Sequence, residues 1–477
     1  MATVAVLGGG ISGLSCAHYL KGFGRSNIKY LFLVEKSPKF GGWIQTTRYP
    51  DGAIFEHGPR TLRVPSKSGY NALELAEQLG LQSSILPVTK NHPTAKNNFI
   101  LSGGKLHPLP RDPFSFLKKT PPFSKPLLWY LIKETITKKS DLDDESIYSF
   151  IERRAGKEIS DFVLDPVCRG ITAGDARDLS IRSMFPLVFN AEQQHGSIIK
   201  GILKNRKNSP VFEYMHCNLV RKALSEKWRM WSLKTGLTEL IDALACSVDE
   251  REFSDLIFNA ECTHIEFKDN KAILAVENEK IIVDHVFSSI PSYHLAKLIP
   301  QHPKLCDVLN SIPFVDVAVV YLEYSDKVLK YPGFGYLVPS FENSKILGIV
   351  FDSNCFPQFN GQSQTRLTCM IGGKWFKDVL GDPSKVTDKH VLDIAIEATR
   401  KELGINVLPD RHKVTVQRSC IPQYVIGHHK KLEAAENAIK ENNLCLSLIG
   451  ASYKGAGVPD CIYNSRLAVQ NYLEKIK

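Results

Sequence analysis

The sequence predicts a chain of mixed α/β and α+β class with more than one domain, and three observations predict it. The first is a strand, glycine-rich turn, helix and second strand over residues 3–34. The second is a series of separate β-type segments between residues 315 and 418. The third is a return to α/β form at the C-terminus: a strand at 446–449, a loop at 450–457, and a last helix from Pro459. At 477 residues, with 43% hydrophobic and 23% charged residues, the chain exceeds one compact core and suits two or three domains.

The elements follow in order. Residues 3–7 are an apolar strand, 11–21 a helix and 30–34 a second strand, which together make a parallel βαβ start. A helix from Ser66 through Leu73, Leu75, Ala76 and Leu79 ends at Gly80, a residue suited to a helix stop. Residues 91–206 are rich in proline, aromatics and lysine, lack a comparable strand pattern, and read as an inserted helical subdomain. Strands near 255–259, 263–267 and 281–289 follow. Those at 315–324, 334–338, 346–351, 366–371 and 413–418 make a mixed sheet suited to a substrate-binding unit. The expected division is a discontinuous nucleotide-binding domain (1–90, 231–298 and 440–477), the helical insert (91–206) and a substrate domain (299–439).

Gly8-x-Gly10-x-x-Gly13 sits between the first strand and the helix, the context in which this spacing carries meaning. Gly8 permits the tight turn, Gly10 lets backbone approach a pyrophosphate, and Gly13 allows close packing of helix on strand. The helix start supplies unpaired N–H groups and partial positive charge to phosphate. Glu35, at the end of the second strand, stands where a carboxylate receives ribose hydroxyls; its plainer reading is a solvated strand-end acid. Gly41-Gly42 offers a second phosphate-binding turn. The loop from Gly450 to Asp460 brings another helix start, which would stabilise negative charge; its plainer reading is a glycine-rich αβ turn. Arg60 suits either neutralisation of a pyrophosphate or an ion pair that fixes its loop.

The charge of +10 is dispersed, and no nucleic-acid motif accompanies it, so nucleic acid is not an expected partner. Eleven cysteines, none in a Cys-x-x-Cys pair, argue against zinc and against a disulfide framework. The pairs His428-His429 and His216-Cys217 lack further ligands at metal-site spacing, and no Gly-x-Ser-x-Gly occurs, so neither a metal nor a catalytic side chain is nominated. The first strand follows Met1 so closely that no cleaved presequence is expected, and no apolar run approaches the roughly 20 residues of a spanning helix.

With Lys39-Phe-Gly-Gly-Trp43 and Gly52-Ala-Ile-Phe-Glu-His-Gly-Pro-Arg60, the sequence resembles the flavin amine oxidase superfamily. The resemblance implies a Rossmann-like FAD-binding domain of the glutathione-reductase and amine-oxidase type, with one non-covalent FAD per chain. It places at the cofactor Gly8, Gly9, Gly10, Ile11, Ser12, Gly13, Glu35, Lys36, Gly42, Trp43, Gly58, Pro59, Arg60, Thr61, Cys262, Ser452, Ala456, Gly457 and Val458. Several segments resemble the oxygen-dependent protoporphyrinogen oxidases of animals more than the amine oxidases: Leu7-Gly-Gly-Gly-Ile-Ser-Gly-Leu14, Gly41-Gly-Trp-Ile44, Cys168-Arg-Gly170, Leu179-Ser-Ile-Arg-Ser183, Gly333-Phe-Gly-Tyr-Leu-Val-Pro339, Met370-Ile-Gly-Gly373 and Ile421-Pro-Gln-Tyr424.

That family oxidises protoporphyrinogen IX to protoporphyrin IX by six electrons, passed to three O2 as three H2O2. The implied substrate residues are Asn98, Arg169, Phe334, Gly335, Leu337 and Met370. Phe334 and Leu337 would pack on the macrocycle, and Gly335 would clear room for it. Asn98 replaces an arginine of close relatives, which leaves Lys96, Lys105 or Arg111 as cations for the propionates. Cys262 stands where relatives often carry valine.

Phe114, Phe116, Leu117, Phe123, Leu127, Leu128, Trp129, Tyr130 and Leu131, interleaved with lysines, suit the interface of an anionic membrane; packing inside the helical subdomain explains them equally well. The family further implies a homodimer, contacts with enzymes of the haem pathway, and residence at the intermembrane-space face of the mitochondrial inner membrane. The competing readings are a flavin amine oxidase, a carotenoid-desaturase-like enzyme, or a flavin-binding scaffold without catalysis.

Overall fold

The computed structural model describes residues 1–110, 114–205 and 210–476. Five parallel strands form one sheet in the order Ser254–Ile257, Ile28–Val34, Ala2–Leu7, His285–Ser288 and Leu446–Leu448. Val4, Val6, Leu31 and Leu33 are buried on one face and Ala5, Leu7 and Val34 on the other, as expected of strands covered on both faces. One face packs on the helices Ile11–Gly24, Lys67–Gln78, Thr238–Val248 and Val458–Lys475. The other is covered by the antiparallel strands Cys262–Lys268, Lys271–Val276 and Glu279–Val283 and by the helices Ser292–Leu298, Pro303–Asn310 and His428–Glu441. The first strand is central, and the chain leaves it toward one neighbour and later returns on its other side. Its carboxyl end is therefore a topological switch point, where open parallel sheets bind ligands.

A second, mixed sheet has seven strands in the order Arg411–Pro422, Phe314–Tyr324, Thr365–Gly373, Ile346–Val350, Gly335–Leu337, Asn98–Ser102 and Lys105–Pro108. The helix Asp388–Leu403 covers one of its faces. Here the structure corrects the expectation of a purely helical insert over 91–206. The hairpin Asn98–Ser102 and Lys105–Pro108, closed by Gly103 and Gly104 at positive φ, extends the mixed sheet through the parallel pairing of Phe99 with Tyr336. Its apolar run is only Phe99-Ile-Leu101, too short to stand out among prolines and lysines, and the neighbouring strand supplies the pairing that sequence alone does not show.

The helical part proper runs from Leu127–Ile136 to Ile198–Asn205. At its centre the buried Arg154 bonds Glu134 and Glu192, and Glu134 in turn accepts from the Ile198 N–H and Ser197 hydroxyl at the start of the last helix. The single strand expected at 281–289 is two. Glu279–Val283 belongs to the antiparallel group and His285–Ser288 to the parallel sheet, with Asp284 between them accepting the Thr3 N–H and pairing with Lys271. Among the described residues no helix is long and apolar enough to cross a membrane.

Candidate active site

At the switch point Gly8 has φ 96°, and the Gly9 N–H donates to Glu35 Oε2 at 2.6 Å while the Ser37 N–H donates to Glu35 Oε1 at 2.8 Å. Glu35 is thus a buried brace of the glycine turn rather than a solvated acid. A β-carbon on Gly13 would fall 1.9 Å from the Gly8 carbonyl oxygen, whereas one on Gly10 would meet nothing within 4 Å. The first is a packing requirement; the second leaves open space before the helix. The N-terminus of that helix has no side-chain cap and no acidic residue in its first turn, so Ile11, Ser12 and Gly13 present backbone N–H groups there. Gly41 and Gly42 lie alongside, with the Gly41 N–H donating to the Gly9 carbonyl and Gly10 bridging Gly41.

The distant end of the chain closes on the same place. The Ile449 N–H donates to the Ser288 carbonyl, Ser465 Oγ donates to the Ser12 carbonyl at 2.9 Å, and Ser452 Oγ accepts the Ser292 N–H at 3.1 Å. Gly457 is the uncapped N-terminus of the terminal helix, behind Ala456 and ahead of Val458. Asp460 packs beside Gly455 and Gly457, and burial raises the pKa of its carboxyl. Lys36 and Trp43 are exposed; Cys262 opens its strand opposite Val276, and burial lifts its thiol to about 11. Gly58, Pro59 and Thr61 are half-buried in the segment after the strand Ile54–Glu56, and Arg60 pairs with Asp352 at 2.9 Å. Of the two roles open to Arg60, the structure displays the ion pair.

The free face of the mixed sheet supplies a second wall. Register aligns Asn98, Gly335, Val350, Thr368, Tyr321 and Lys413 in one row across six strands. Two residues along, the next row is Ile100, Leu337, Gly348, Met370, Val319 and Thr415. A two-residue step keeps both rows on one face, so four of the six implied substrate residues are neighbours there. The rows face the glycine-turn unit: Phe55 stacks on Tyr321 at 5.2 Å, and Thr368 donates to Asp352, the partner of Arg60. Phe334 and Met370 pack into the apolar cluster of Val350, Phe356 and Phe359.

Leu337 lies under the helix Asp165–Thr172, close against Gly170. Arg169, on that helix, donates Nη1 to the carbonyls of Val338 and Pro339 and lies 4.6 Å over the Trp375 ring. Gly335 has another reason than clearing space for a ring. Its φ is 150°, and a β-carbon would fall 2.2 Å from the Ile349 carbonyl oxygen, within the sheet itself. Lys96 and Lys105 are exposed, and Arg111 lies outside the described residues.

The model of the flavin containing amine oxidoreductases matches residues 11–473. The chain is 40% identical over 474 residues to the protoporphyrinogen oxidases of Bos taurus and Homo sapiens, covering 99% of this chain and 98% of each relative. The chain belongs to the protoporphyrinogen oxidase family of flavin amine oxidases. A solved structure from Exiguobacterium sp. 255-15, 20% identical, shares the fold with a TM-score of 0.78 over 99% of both chains.

Sequence reasoning within this family passed over three residues that build the site. Ser289 Oγ donates to the carbonyls of Leu7 and Gly8 at 2.7 and 3.0 Å and so closes the glycine turn from the neighbouring strand. A small polar residue at the end of a buried strand was the available signal. Asp352, immediately after the strand Ile346–Val350 and Phe351, is the counter-ion of Arg60. Tyr321, buried in the first row, has a hydroxyl without a partner among the described residues; within the apolar run Val317 to Leu322 nothing in the sequence marks it. His428 stacks on Tyr424 and bonds the Tyr453 carbonyl, while His429 pairs with Asp143 and His216 with Glu74.

Proposed function

We propose that this protein is an oxygen-dependent oxidase that holds one FAD non-covalently and converts protoporphyrinogen IX to protoporphyrin IX in haem biosynthesis. The likeness to the vertebrate enzymes over almost the whole length of both chains carries this reading. The site suits the cofactor: the uncapped helix start, the open space at Gly10 and the adjoining Gly41-Gly42 turn make a cradle for pyrophosphate, with the Glu35 carboxylate bracing the glycine turn at the end of the second strand. A bound flavin supplies the electron transfer from substrate to oxygen.

The chain's own residues bind and orient. Phe334, Leu337 and Met370 offer an apolar wall for a flat macrocycle, Asn98 a polar group at its edge, and Arg169 a cation that holds the backbone after Leu337. Gly8 to Gly13, Lys36, Trp43, Gly58 to Thr61, Cys262, Ser452 and Ala456 to Val458 are assigned to the cofactor side. The functional units are the discontinuous FAD domain, the helical insert and the substrate domain, the last including the hairpin of Asn98–Ser102 and Lys105–Pro108.

The helical insert is assigned to the membrane surface. Phe114, Leu117, Trp129, Leu131, Ile132 and Ile136 are exposed on it, with Lys125 held 4.9 Å over Trp129, whereas Phe123 and Tyr130 turn inward. By the same family resemblance, the protein is assigned as a homodimer at the intermembrane-space face of the mitochondrial inner membrane, near other enzymes of the pathway. Purified yellow protein given protoporphyrinogen IX in air should raise porphyrin fluorescence far above the autoxidation rate. A rate equal to autoxidation, with peroxide formed from an amine instead, would overturn the assignment.

A further inference from the structure

Between the edge strand Arg411–Pro422 and the helix His428–Glu441 the chain makes a short crossing that touches two other parts of the molecule. Toward the helical insert, Gln423 Nε2 donates to the Thr172 carbonyl at 2.9 Å, the Ser180 N–H to the Tyr424 carbonyl at 2.8 Å, and the Gly427 N–H to Asp144 Oδ2 at 2.8 Å. Toward the terminal loop, the Tyr424 hydroxyl donates to the Ala451 carbonyl at 2.5 Å and His428 Nε2 to the Tyr453 carbonyl at 2.9 Å. The two rings stack with centroids 4.2 Å apart and planes 12° from parallel, and both residues are at most 2% exposed.

A carbonyl only accepts, so His428 carries its proton on Nε2. Its Nδ1 is buried and has no partner among the described residues. Burial, with Lys431 and His429 nearby and the Tyr453 carbonyl and Asp144 opposing, pushes the ring down to about 4 and keeps it neutral. Within the loop it holds, the Tyr453 N–H turns back to the Gly450 carbonyl; the remaining ties come from outside, from Ser292 at Ser452 and Asn464 at the Lys454 carbonyl as well as from this pair. Gly450 and Gly455 take positive φ, and Gly457 starts the terminal helix without a side-chain cap. Such a loop has wide backbone freedom unless outside groups restrict it.

We propose that Tyr424 and His428 are positioning residues, a stacked pair that fixes the carbonyls of Ala451 and Tyr453 and thereby sets the backbone of residues 451–458 against the flavin. This rests on the reading that those residues lie beside the cofactor. Plain core packing would also bury two stacked rings, but it would affect only stability. Positioning reaches the flavin's electronics, because loop N–H groups and the helix start act on charge that grows when the ring is reduced.

The test uses the holoenzyme. Tyr424→Phe keeps the ring and the stack and removes one hydrogen bond. It should retain stoichiometric FAD and melt within about 3 °C of wild type. Its flavin visible band should move and kcat should fall about tenfold at unchanged KM. A tenfold change in the reduction equilibrium corresponds to about 30 mV for a two-electron couple. His428→Gln, which keeps a donor without the ring, should fall between wild type and His428→Leu on both readouts. Variants that melt earlier with unmoved spectrum, potential and kcat would overturn the proposal, as would a raised KM at wild-type kcat. A colourless or inactive wild type would sink the functional reading together with this one; an active yellow wild type with indifferent variants sinks this one alone.

Discussion

The two walls of the site are built on opposite rules. At the glycine turns the recognising surface is backbone, held by Glu35, Ser289 and the helix behind, and its side chains are mostly hydrogen atoms. On the sheet face the surface is side chains, gathered from six strands by register alone. Backbone recognition concentrates in a short motif and tolerates almost nothing at its centre. Side-chain recognition is spread along the chain, and each position contributes a modest share.

The sharpest way to break this contrast is Gly10→Val. No protein atom lies within 4 Å of the added β-carbon, so the apoprotein should fold normally, whereas the pyrophosphate loses its place. At least a hundredfold weaker FAD binding is expected, about 2.7 kcal/mol, with activity lost. Flavin absorbance per chain, beside the melting curve of apoprotein, measures it; a fully yellow variant would contradict the cradle.

Arg60→Ala comes next. It leaves Asp352 largely buried without its cation, and about 3–5 kcal/mol of stability should be lost. In a denaturant titration, Arg60→Ala with Asp352→Asn should cost much less than the sum of the single changes. Simple additivity would mean that the pair contributes nothing as a pair.

Gly335→Ala separates a glycine of the sheet from one of the cradle. The contact with the Ile349 carbonyl and the φ of 150° should cost about 2–3 kcal/mol, while the folded fraction keeps its flavin. Flavin loss at unchanged stability would place Gly335 in the wrong wall.

A smaller effect tests the parallel sheet through pH. His285 stacks on Tyr472 at 4.4 Å and lies 2.8 Å from Ser447 Oγ; burial, aided by Lys475, pushes its pKa from 6.5 to about 3. The folded state thus favours the neutral ring, so its contribution is complete above pH 6.5 and is lost as pH falls toward 3. On the order of 2 kcal/mol is expected over that span. The stability difference between wild type and His285→Phe should narrow or reverse in acid, and a difference independent of pH would remove His285 from the account.

The same contrast explains what was legible in the sequence. The βαβ start, the helix ending at Gly80 and the terminal loop all carry local signals, and each lies where the residues put it. Convergence of the chain's two ends on one cofactor was implied by the family resemblance. On the mixed sheet the long strands were legible, because Val315 to Tyr324 is rich in β-branched and aromatic residues around the apolar stretch Val317 to Leu322. The hairpin at Asn98 was not, because its pairing partner is some 240 positions away. The slot residues were found only through resemblance; periodicity offers no reason to prefer Met370 over Cys369. The Tyr424–His428 brace was also invisible as such, since its partners at Ala451 and Tyr453 are backbone carbonyls.

The gentlest probe is Asn98→Arg, at the outer end of the first row beside Gly335. Asn offers a hydrogen bond without charge, and an arginine there would add a cation with a planar fork suited to a carboxylate. Because the position is half-exposed, solvent and salt limit the gain to about 1 kcal/mol, a KM for protoporphyrinogen lowered about fivefold at unchanged kcat. The gain should shrink as ionic strength rises, whereas wild type should respond less. A KM that neither falls nor acquires salt dependence would mean that the substrate's carboxylates do not approach this edge of the sheet, and the row would then serve the macrocycle's apolar face alone.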